Sequence, residues 1–495
     1  MFESAELGHE LDKTTFEREL PALRQALLTA QYEVLDRRTF PIVVVVGGVE
    51  GAGKGETVSA LGEWMDPRHL QVHAMGPASD EERERPPMWR YWRRLPPKGK
   101  LGVFFGSWYT EPIVAHALRK SGEGRFAQAL GEIQRFEQML AAEGALILKL
   151  WFHLGKKAQR KRLDALWANK QTRFRVQKEE WKRLAHYDDF RSSSARALSE
   201  TDVPEAPWIV LEGSDARYRH FNAGKALLEA MERRLASDAV AASAASAPRP
   251  VVLTDSVERA PLIRTLDLTR RLEKVEYEER LEAYQRRLAL LTRKRGFAKL
   301  SPVLVFEGMD AAGKGGAIRR VTQALDARLY DVHPIAAPSD EERRQPYLWR
   351  FWRHAPRDGK FAIFDRSWYG RVLVERVEKL APEATWRRAY GEINDFERQL
   401  VQAGNVLAKF WLQTSQDEQL RRFRERDATP FKRFKLSAED WRNREKWPDY
   451  ERAASDMIER TSTEQAPWTL VEAEDKYFAR VKVLRTLCEV IERAL

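Results

Sequence analysis

Two glycine-rich segments of the chain carry the residue types of a loop that binds phosphate. They read GGVEGAGKGE over residues 47–56 and EGMDAAGKGG over residues 307–316, and each follows a short apolar run. Glycines let a loop bend so that its backbone N–H groups point at phosphate oxygens, and the following helix adds its positive N-terminal end. Lys54 or Lys314 supplies a positive charge to the same oxygens. The alternative for a single match is an ordinary glycine-rich turn between a strand and a helix.

The second segment departs from the usual phosphate-loop motif in a way that affects metal binding. That motif has Ser or Thr after the lysine, where the hydroxyl reaches Mg²⁺, whereas Gly315 follows Lys314 here. An acid inside the loop, Asp310, is the candidate to hold the metal or orient the attacking group instead. The predicted phosphate-binding positions of this segment are Gly308, Ala311, Ala312, Gly313, Gly315 and Gly316.

A second acid stands at the end of another apolar run. FAIFD, residues 361–365, ends in Asp365 and is followed by Arg366. In phosphate-loop enzymes an acid at the end of a neighbouring strand holds the Mg²⁺ that bridges phosphates, and an arginine offsets charge on the transferred group. The alternative is an aspartate that caps a turn. The sequence thus predicts Asp310 and Asp365 as metal ligands, and as catalytic residues Asp310, Lys314, Asp365 and Arg366.

Two further basic segments are candidates for contact with a polyanion. Residues 417–441 lie between two predicted strands, where phosphate-loop kinases commonly have a lid over the site, and a solvated helix face is the alternative reading. The candidates for polyphosphate contact there are Arg422, Arg426, Lys432, Arg433 and Lys435. In PYLWRFWRHAPRDGK, residues 346–360, the aromatic side chains fit a core while Arg350 and Arg353 fit a phosphate channel. Aromatic and basic residues together also fit single-stranded nucleic acid.

The glycine loop is one part of a longer internal repeat. Lys54 and Lys314 lie 260 positions apart (314 − 54), and the same offset pairs SDEER at residues 79–83 with SDEER at 339–343 and SWY at 107–109 with SWY at 367–369. A single offset over most of each half indicates tandem duplication of a domain. We predict domains at residues 1–235 and 263–495, joined by a linker rich in alanine, serine and proline at residues 236–262.

The elements that must position these residues follow from the apolar runs. In the second half the runs are PVLVFEG, VHPIAA, KFAIFD, NVLAKFWL and PWTLVEA, separated by longer helical patterns, and LDLTRRLEKVEYEERLEAYQRRLALLTRKRG over residues 266–296 predicts a long amphipathic helix. Continuous apolar strands that alternate with helices are typical of a parallel sheet. We therefore predict an α/β fold: a duplicated phosphate-loop kinase-like domain, each copy with five parallel strands, helices on both faces and a helical lid.

Composition narrows the cellular setting and the class of partner. The chain has 495 residues, a net charge of +11 and one cysteine, Cys488, so an intrachain disulfide is excluded. No apolar run is long enough for a membrane span, and the first residues do not have the pattern of a signal peptide. These features favour a cytoplasmic protein with a polyanionic partner and no membrane association.

The motifs taken together resemble the family-2 polyphosphate kinases. GMDAAGKGG, PSDEE, WRFWRHAP and FDRSWYGR carry the resemblance, which covers both halves. It implies dependence on Mg²⁺, or alternatively Mn²⁺, and an anion channel lined by arginine and lysine. The fused two-domain form resembles the subgroup that transfers a phosphoryl group from inorganic polyphosphate to AMP, giving ADP, with no specific nucleic acid as partner. Further candidates for nucleotide or channel contact are Arg350, Arg353, Tyr369, Gly370, Arg371 and Glu375.

Other readings stay open from sequence alone. A phosphate-loop kinase that uses ATP, or a polyanion-binding or nucleic-acid-binding protein with a relic kinase fold, fits part of the pattern. The sequence does not decide between AMP, GMP and ADP as acceptor, and it leaves assembly into a homo-oligomer open.

The 260-residue offset also compares the two halves position by position. Phe105 stands where the second half has Asp365, and Gly106 stands where it has Arg366. Glu50 replaces Asp310. We therefore predict that the second domain is catalytic and that the first is not, although its basic residues 160–178 could still hold polyphosphate.

Overall fold

The computed structural model describes residues 1–243, 262–430, 433 and 438–495, which form two compact units. Unit 1 contains the described residues of Met1–Pro77, Arg90–Ser246 and Ser339–Pro346, and unit 2 those of Ala78–Trp89, Ala247–Pro338 and Tyr347–Leu495. Each unit thus includes a short segment from the other half of the sequence. In the described ranges no helix is long and apolar enough to cross a membrane.

Each half of the chain forms one five-stranded sheet with parallel pairing throughout, which confirms the predicted fold class. The first sheet has the order β2-β3-β1-β4-β5, with β1 Ile42–Gly48, β2 Leu70–Ala74, β3 Leu101–Phe105, β4 Leu146–His153 and β5 Trp208–Glu212. The second has the order β10-β9-β6-β8-β7, with β6 Ser301–Gly308, β7 Tyr330–Pro334, β8 Phe361–Asp365, β9 Asn405–Gln413 and β10 Trp468–Glu472.

Helices connect the strands in both halves. In the first half the α-helices are α1 Lys13–Arg37, α2 Lys54–Trp64, α3 Asp80–Arg83, α4 Trp89–Trp92, α5 Thr110–Ala117, α6 Glu123–Ala142, α7 Lys156–Ala168, α8 Lys178–Ala185, α9 Tyr187–Thr201 and α10 Ala216–Ser243. In the second half they are α11 Lys274–Leu291, α12 Lys314–Thr322, α13 Asp340–Arg343, α14 Trp349–Trp352, α15 Val374–Val377, α16 Glu383–Gln402, α17 Gln416–Ala428, α18 Ala438–Glu445, α19 Trp447–Thr461 and α20 Lys476–Ala494. Short 3₁₀ turns lie at Glu3–Ala5, Arg173–Arg175, Leu262–Thr265, Arg295–Lys299, Ala327–Leu329 and Trp368–Arg371.

Three local predictions differ from the structure. The predicted helix over residues 266–296 is shorter, because Asp267 accepts hydrogen bonds from Thr269 and forms a turn before α11 begins. Strand β7 ends at Pro334, before the rest of the run VHPIAA, just as β2 ends at the matching residue Ala74 of the first half. Helix α10 runs through Ser243, into the alanine-rich segment predicted as linker, and residues 244–261 lie outside the described part of the chain.

The central strand of each sheet is buried on both faces. In unit 2, Val303, Leu304, Val305 and Phe306 of β6 are each at most 1% exposed. Such burial explains why this strand appears in the sequence as a continuous apolar run rather than as an alternation. The polar residues that follow the run are therefore held at a rigid edge of the sheet.

Candidate active site

The carboxyl ends of two neighbouring strands bring the glycine loop and Asp365 of unit 2 together. Strands β6 and β8 are paired in parallel, with Phe306 opposite Asp365. The loop leaves β6 directly after this pair and leads into α12, which begins at Lys314. A Cβ atom placed on Gly315 would lie 4.0 Å from Oδ2 of Asp365. The carboxylate thus faces the first turn of the helix that the loop precedes.

The loop must begin with glycine because the neighbouring strand β9 lies close to its backbone. Gly308 has φ 144°, and a Cβ atom there would lie 2.3 Å from the backbone oxygen of Leu412. At the end of the loop Gly313 has φ 108° and caps α12. Nζ of Lys314 donates to the carbonyl oxygens of Gly308 at 2.8 Å and Met309 at 3.3 Å, so the lysine folds across its own loop.

Asp310 is held by side chains from two other elements. Its Oδ1 accepts from Nη2 of Arg366 at 3.1 Å, and its Oδ2 accepts from Nδ2 of Asn443 at 2.8 Å. The side chain of Asp310 is 13% exposed. Gln419 of α17 donates to the backbone oxygen of Asp310 at 3.1 Å. The segment predicted as a lid therefore touches the loop through Gln419, and Asn443 reaches it from just beyond that segment. The sequence analysis identified neither residue.

Arg366 has an unusual backbone conformation for its residue type. Its φ is 64°, in the left-handed region where residues other than glycine have a strained backbone. Its guanidinium lies beside Asp310. Burial by itself lowers the pKa of Arg366, but the surrounding carboxylates, Asp310 first among them, raise it above the usual value. The arginine is therefore a fixed positive charge at the loop.

The carboxylate of Asp365 is available for a ligand. None of the residues that the structure describes donates a hydrogen bond to it. Carboxylate oxygen is the donor that Mg²⁺ prefers, and Mg²⁺ sites on phosphate substrates commonly use one or two carboxylates with phosphate oxygens and water. Across the described ranges no three His, Cys, Asp or Glu side chains come together as a metal site. Asp365, with Asp310 nearby, fits a site that phosphate oxygens complete.

Glu307, the last side chain before the glycine of the loop, is a buried carboxylate that the sequence analysis missed. Its Oε1 accepts from the hydroxyl of Ser367 at 2.8 Å. Burial raises the pKa of Glu307, and the charge of Lys314 and the Ser367 hydrogen bond offset this only in part. An acid inside an otherwise apolar strand was the available signal, together with Gly47 at the matching position of β1.

We expect Glu307→Gln to gain stability relative to the wild type as the pH rises. A carboxyl whose pKa is raised by folding contributes stability that is present at low pH and is lost as the pH rises from its unfolded value of 4.5 through the folded value. Glutamine does not ionise, so the difference in free energy of unfolding should shift toward the variant between pH 4.5 and neutral pH. Urea unfolding followed by tryptophan fluorescence measures this, and a difference that is constant with pH would contradict it.

The predicted lid residues take different positions. Arg422 is only 3% exposed and donates to Glu418 and to the backbone oxygens of Ala311, Ala473 and Glu474. Its guanidinium is thus bonded to the backbone of the loop and of the residues after β10, and its prediction as a polyphosphate contact is wrong for this structure. Lys432 and Lys435 lie outside the described residues.

The other two lid arginines stay accessible. Arg426, near the end of α17, is half-buried, and Arg433 is exposed with its Nε 3.0 Å from Oδ1 of Asp427. Both remain candidates for contact with a polyanion.

The aromatic and basic segment divides into core and surface. Trp349, Phe351 and Trp352 are buried, as one of the two readings of the sequence required. Arg350 donates to the backbone oxygen of Ala336 at 3.1 Å, and the guanidinium of Arg353 lies 4.6 Å from the ring centre of Trp349.

Arg371 and Glu375 form an ion pair close to the turn that contains Gly370. Nε of Arg371 lies 2.8 Å from Oε2 of Glu375, and its guanidinium lies 4.3 Å from the ring centre of Tyr347. Gly370 is half-buried, and its N–H donates to Ser367. These residues lie within the turn and helix that follow Asp365.

Tyr369 does not line a channel, contrary to the prediction from sequence. It is fully buried, and its hydroxyl donates to Glu397 and accepts from Lys409. Nζ of Lys409 lies 2.7 Å from Oε2 of Glu397 and donates to the backbone oxygen of Thr461 at 2.8 Å. Burial of this ion pair lowers the pKa of Lys409 and raises that of Glu397.

The same buried ion pair is present in unit 1. Nζ of Lys149 lies 2.8 Å from Oε2 of Glu137, and Tyr109 again donates to the glutamate. A network that both copies retain has a role in the fold rather than in the chemistry of one site.

We expect Lys409→Met to lower the free energy of unfolding by about 3 kcal/mol at neutral pH, because it leaves the buried Glu397 carboxylate without a positively charged partner. The loss should shrink as the pH falls, because the pKa of the buried Glu397 is raised and the carboxylate can then take up a proton. Urea unfolding followed by tryptophan fluorescence measures both values. The double variant Lys409→Met/Glu397→Gln removes the unpaired charge and should recover most of the loss, and equal losses in the two variants would contradict this account.

The loop of unit 1 keeps the lysine but pairs its acid differently. Nζ of Lys54 donates to the carbonyl oxygens of Gly48 and Val49, as Lys314 does in unit 2. Glu50 forms an ion pair with Arg183, which stands where unit 2 has Asn443, and lies 3.5 Å from Lys54. Burial alone would raise the pKa of Glu50, but the charges of Lys54 and Arg183 lower it.

A glycine loop on a central parallel strand, facing a carboxylate at the end of the next strand, places the chain among the phosphate-loop phosphotransferases. The sequence pattern of one family, Polyphosphate kinase 2 (PPK2), matches residues 10–239 and again residues 271–495. The chain belongs to this family.

Similar proteins cover the chain from end to end. A polyphosphate:AMP phosphotransferase of Pseudomonas aeruginosa is 53% identical over 494 residues, which is 100% of this chain and 99% of the relative. One of Acinetobacter johnsonii is 39% identical over 475 residues, covering 94% of this chain and 95% of the relative. A crystal structure described as a polyphosphate kinase 2 from Pseudomonas aeruginosa PA01 matches with a TM-score of 0.90 and 52% identity, covering 100% of this chain and 99% of that one.

Proposed function

We propose that this protein transfers a phosphoryl group from inorganic polyphosphate to AMP, giving ADP, and that unit 2 carries out the reaction. The names of full-length relatives support polyphosphate and AMP as the substrates. The observation that carries the assignment to unit 2 is the meeting of Lys314, Asp365 and Arg366 at one edge of its sheet. Unit 1 has Phe105 and Gly106 in place of the last two.

The residues of unit 2 suit this transfer because it depends on position and charge. A phosphate oxygen of AMP forms the new P–O bond to the terminal phosphorus of polyphosphate, and the bond to the next bridging oxygen breaks, which releases a chain shorter by one phosphate. Lys314 leaves its loop carbonyls to bind phosphate oxygens. Arg366 stabilises charge on the transferred group, and Asp310 keeps Arg366 in place.

Asp365 and Asp310 would hold a divalent cation, Mg²⁺ or Mn²⁺. When bound, such an ion neutralises charge on the phosphate oxygens. Asp365 has its carboxylate free of described donors, whereas Asp310 already accepts from Arg366 and Asn443. Asp365 is therefore the principal ligand that the chain offers. That the protein is cytoplasmic stays a prediction, which rests on its single cysteine.

The donor is tested by incubating AMP, polyphosphate and Mg²⁺ without ATP and measuring ADP. ADP should form with polyphosphate and not with ATP as sole donor. Formation only with ATP would favour the other class of phosphate-loop kinase. A chain that binds nucleic acid with strong salt dependence and forms no ADP would favour the polyanion-binding protein.

The catalytic unit is tested by a matched pair of loop variants, Lys54→Ala and Lys314→Ala. The two lysines make the same contacts with the backbone of their own loops. Lys314→Ala should lose most of the activity, and Lys54→Ala should keep the wild-type rate. Equal losses would show that unit 1 takes part in the reaction.

A further inference from the structure

The helix that follows the loop in unit 1 carries an acid where unit 2 has glycine. Glu56 of α2 stands at the position of Gly316 in α12, 260 residues apart (316 − 56). Three arginines contact its carboxylate. Nη2 of Arg162 lies at 3.1 Å and Nη1 of Arg175 at 3.4 Å, and Arg219 forms the third ion pair.

Arg219 covers the loop of unit 1. A Cβ atom placed on Gly53, the glycine just before Lys54, would lie 2.1 Å from Nε of Arg219. The side chain of Arg219 is only 3% exposed, and it also donates to the backbone oxygen of Gly213 at 3.1 Å. A guanidinium buried this deeply requires an anion beside it, since a buried charge without a partner is strongly destabilising.

Unit 2 lacks both members of this pair. Ala479 stands at the position of Arg219 (479 − 219 is again 260). The site of a Cβ atom on Gly313 has no described atom within 4 Å, so the loop is open there. Unit 2 thus has neither residue at the matching positions, and its nearest guanidinium there is that of Arg480, with Nη2 3.4 Å from a Cβ atom placed on Gly316.

The groups around Glu56 are guanidiniums, a type of side chain that commonly binds phosphate. Several guanidinium groups on one oxyanion, at the N-terminus of a helix behind a glycine loop, form an anion site. We infer that the carboxylate of Glu56 occupies the phosphate position of unit 1, and that this internal anion keeps inorganic phosphate and polyphosphate out of the loop. The inference concerns binding to unit 1 and does not depend on which reaction unit 2 performs.

One consequence concerns the basic segment 160–178 of unit 1. Arg162 and Arg175 are already paired with Glu56, Arg160 lies 3.5 Å from Asp164, and Arg173 donates to the backbone oxygen of Trp167. Four of the seven basic side chains of this segment thus have partners within unit 1. Fewer of its basic side chains are available to bind polyphosphate than its sequence alone suggests.

The test is anion binding to the full-length Glu56→Gln variant, with inorganic tripolyphosphate as probe at 0.15 M salt. Equilibrium dialysis should give one more bound tripolyphosphate per chain in Glu56→Gln than in the wild type, and the probe should raise the unfolding temperature of the variant more than that of the wild type. Glu56→Asp keeps the negative charge and should gain no additional anion. A folded Glu56→Gln chain with the stoichiometry of the wild type would overturn the inference.

Stability supplies a second readout in case Glu56→Gln folds poorly. Without added anion the variant should unfold at a lower temperature than the wild type, because Arg219 loses its partner. Glu56→Gly/Arg219→Ala reproduces the residues of unit 2 and should recover this loss. If Glu56→Gln folds only when tripolyphosphate is present, the probe has replaced the carboxylate as inferred, whereas failure to fold with the probe present counts against the inference.

Discussion

Replacing Asp365 by asparagine is expected to lower the rate of ADP formation at least about 1000-fold, because a charge that offsets phosphate is worth that order of rate. The fold should be retained, since no described residue donates a hydrogen bond to this carboxylate and asparagine has nearly its shape. The rate is measured with AMP, polyphosphate and saturating Mg²⁺. Thermal unfolding followed by circular dichroism is measured on the same samples.

Asp331→Asn is the matched control for this prediction. Asp331 is an exposed aspartate on the neighbouring strand β7, so the chemical change is the same but lies away from the loop. Its rate should equal that of the wild type. Residual activity of Asp365→Asn should require more Mg²⁺, and a variant with more than a tenth of the wild-type rate would show that Asp365 is not the principal metal ligand.

Arg366→Gly is expected to abolish activity and leave stability almost unchanged. An arginine that stabilises the transferred phosphoryl group can contribute about 1000-fold to the rate. Yet its φ of 64° strains the backbone, and glycine relieves that strain, as Gly106 does at the matching position with φ 78°. The arginine of the ion pair with Asp310 is 45% exposed, so the pair contributes no more than about 1 kcal/mol. The free energy of unfolding should therefore change by no more than about 1 kcal/mol.

Arg366→Ala separates the two effects. Alanine loses the guanidinium but keeps a Cβ atom in the left-handed conformation, so this variant should be as inactive as Arg366→Gly and less stable by about 1 kcal/mol. Rates and urea midpoints of the two variants are compared side by side. An alanine variant more stable than the glycine variant would show that the strain at this position is negligible.

The sheet and the meeting of Lys314 with Asp365 were predictable from sequence for one physical reason. Parallel strands end at the same edge, so residues directly after neighbouring strands must come together. The internal repeat strengthened this prediction, because a second copy of each motif appeared at one constant offset.

Burial of polar side chains was not predictable in the same way. Arginine and tyrosine next to functional residues are expected to face solvent or ligand, but Arg422 and Tyr369 satisfy buried partners instead. Asn443 reaches Asp310 from a helix 133 residues away in sequence, and no local pattern records such a contact. The pairing of Glu56 with Arg219 spans 163 residues and was not predictable from sequence for the same reason.

The duplicated buried ion pair bears on the evolutionary history of the chain. A copy released from selection after a gene duplication accumulates substitutions at all positions, and a buried pair is vulnerable because loss of either partner is destabilising. Unit 1 has diverged at Phe105 and Gly106 yet retains Lys149 with Glu137. On the proposed division of roles, natural selection has continued to act on the folding of unit 1 after it ceased to act on its chemistry. Deleting the first half of the gene should therefore not be neutral for the organism.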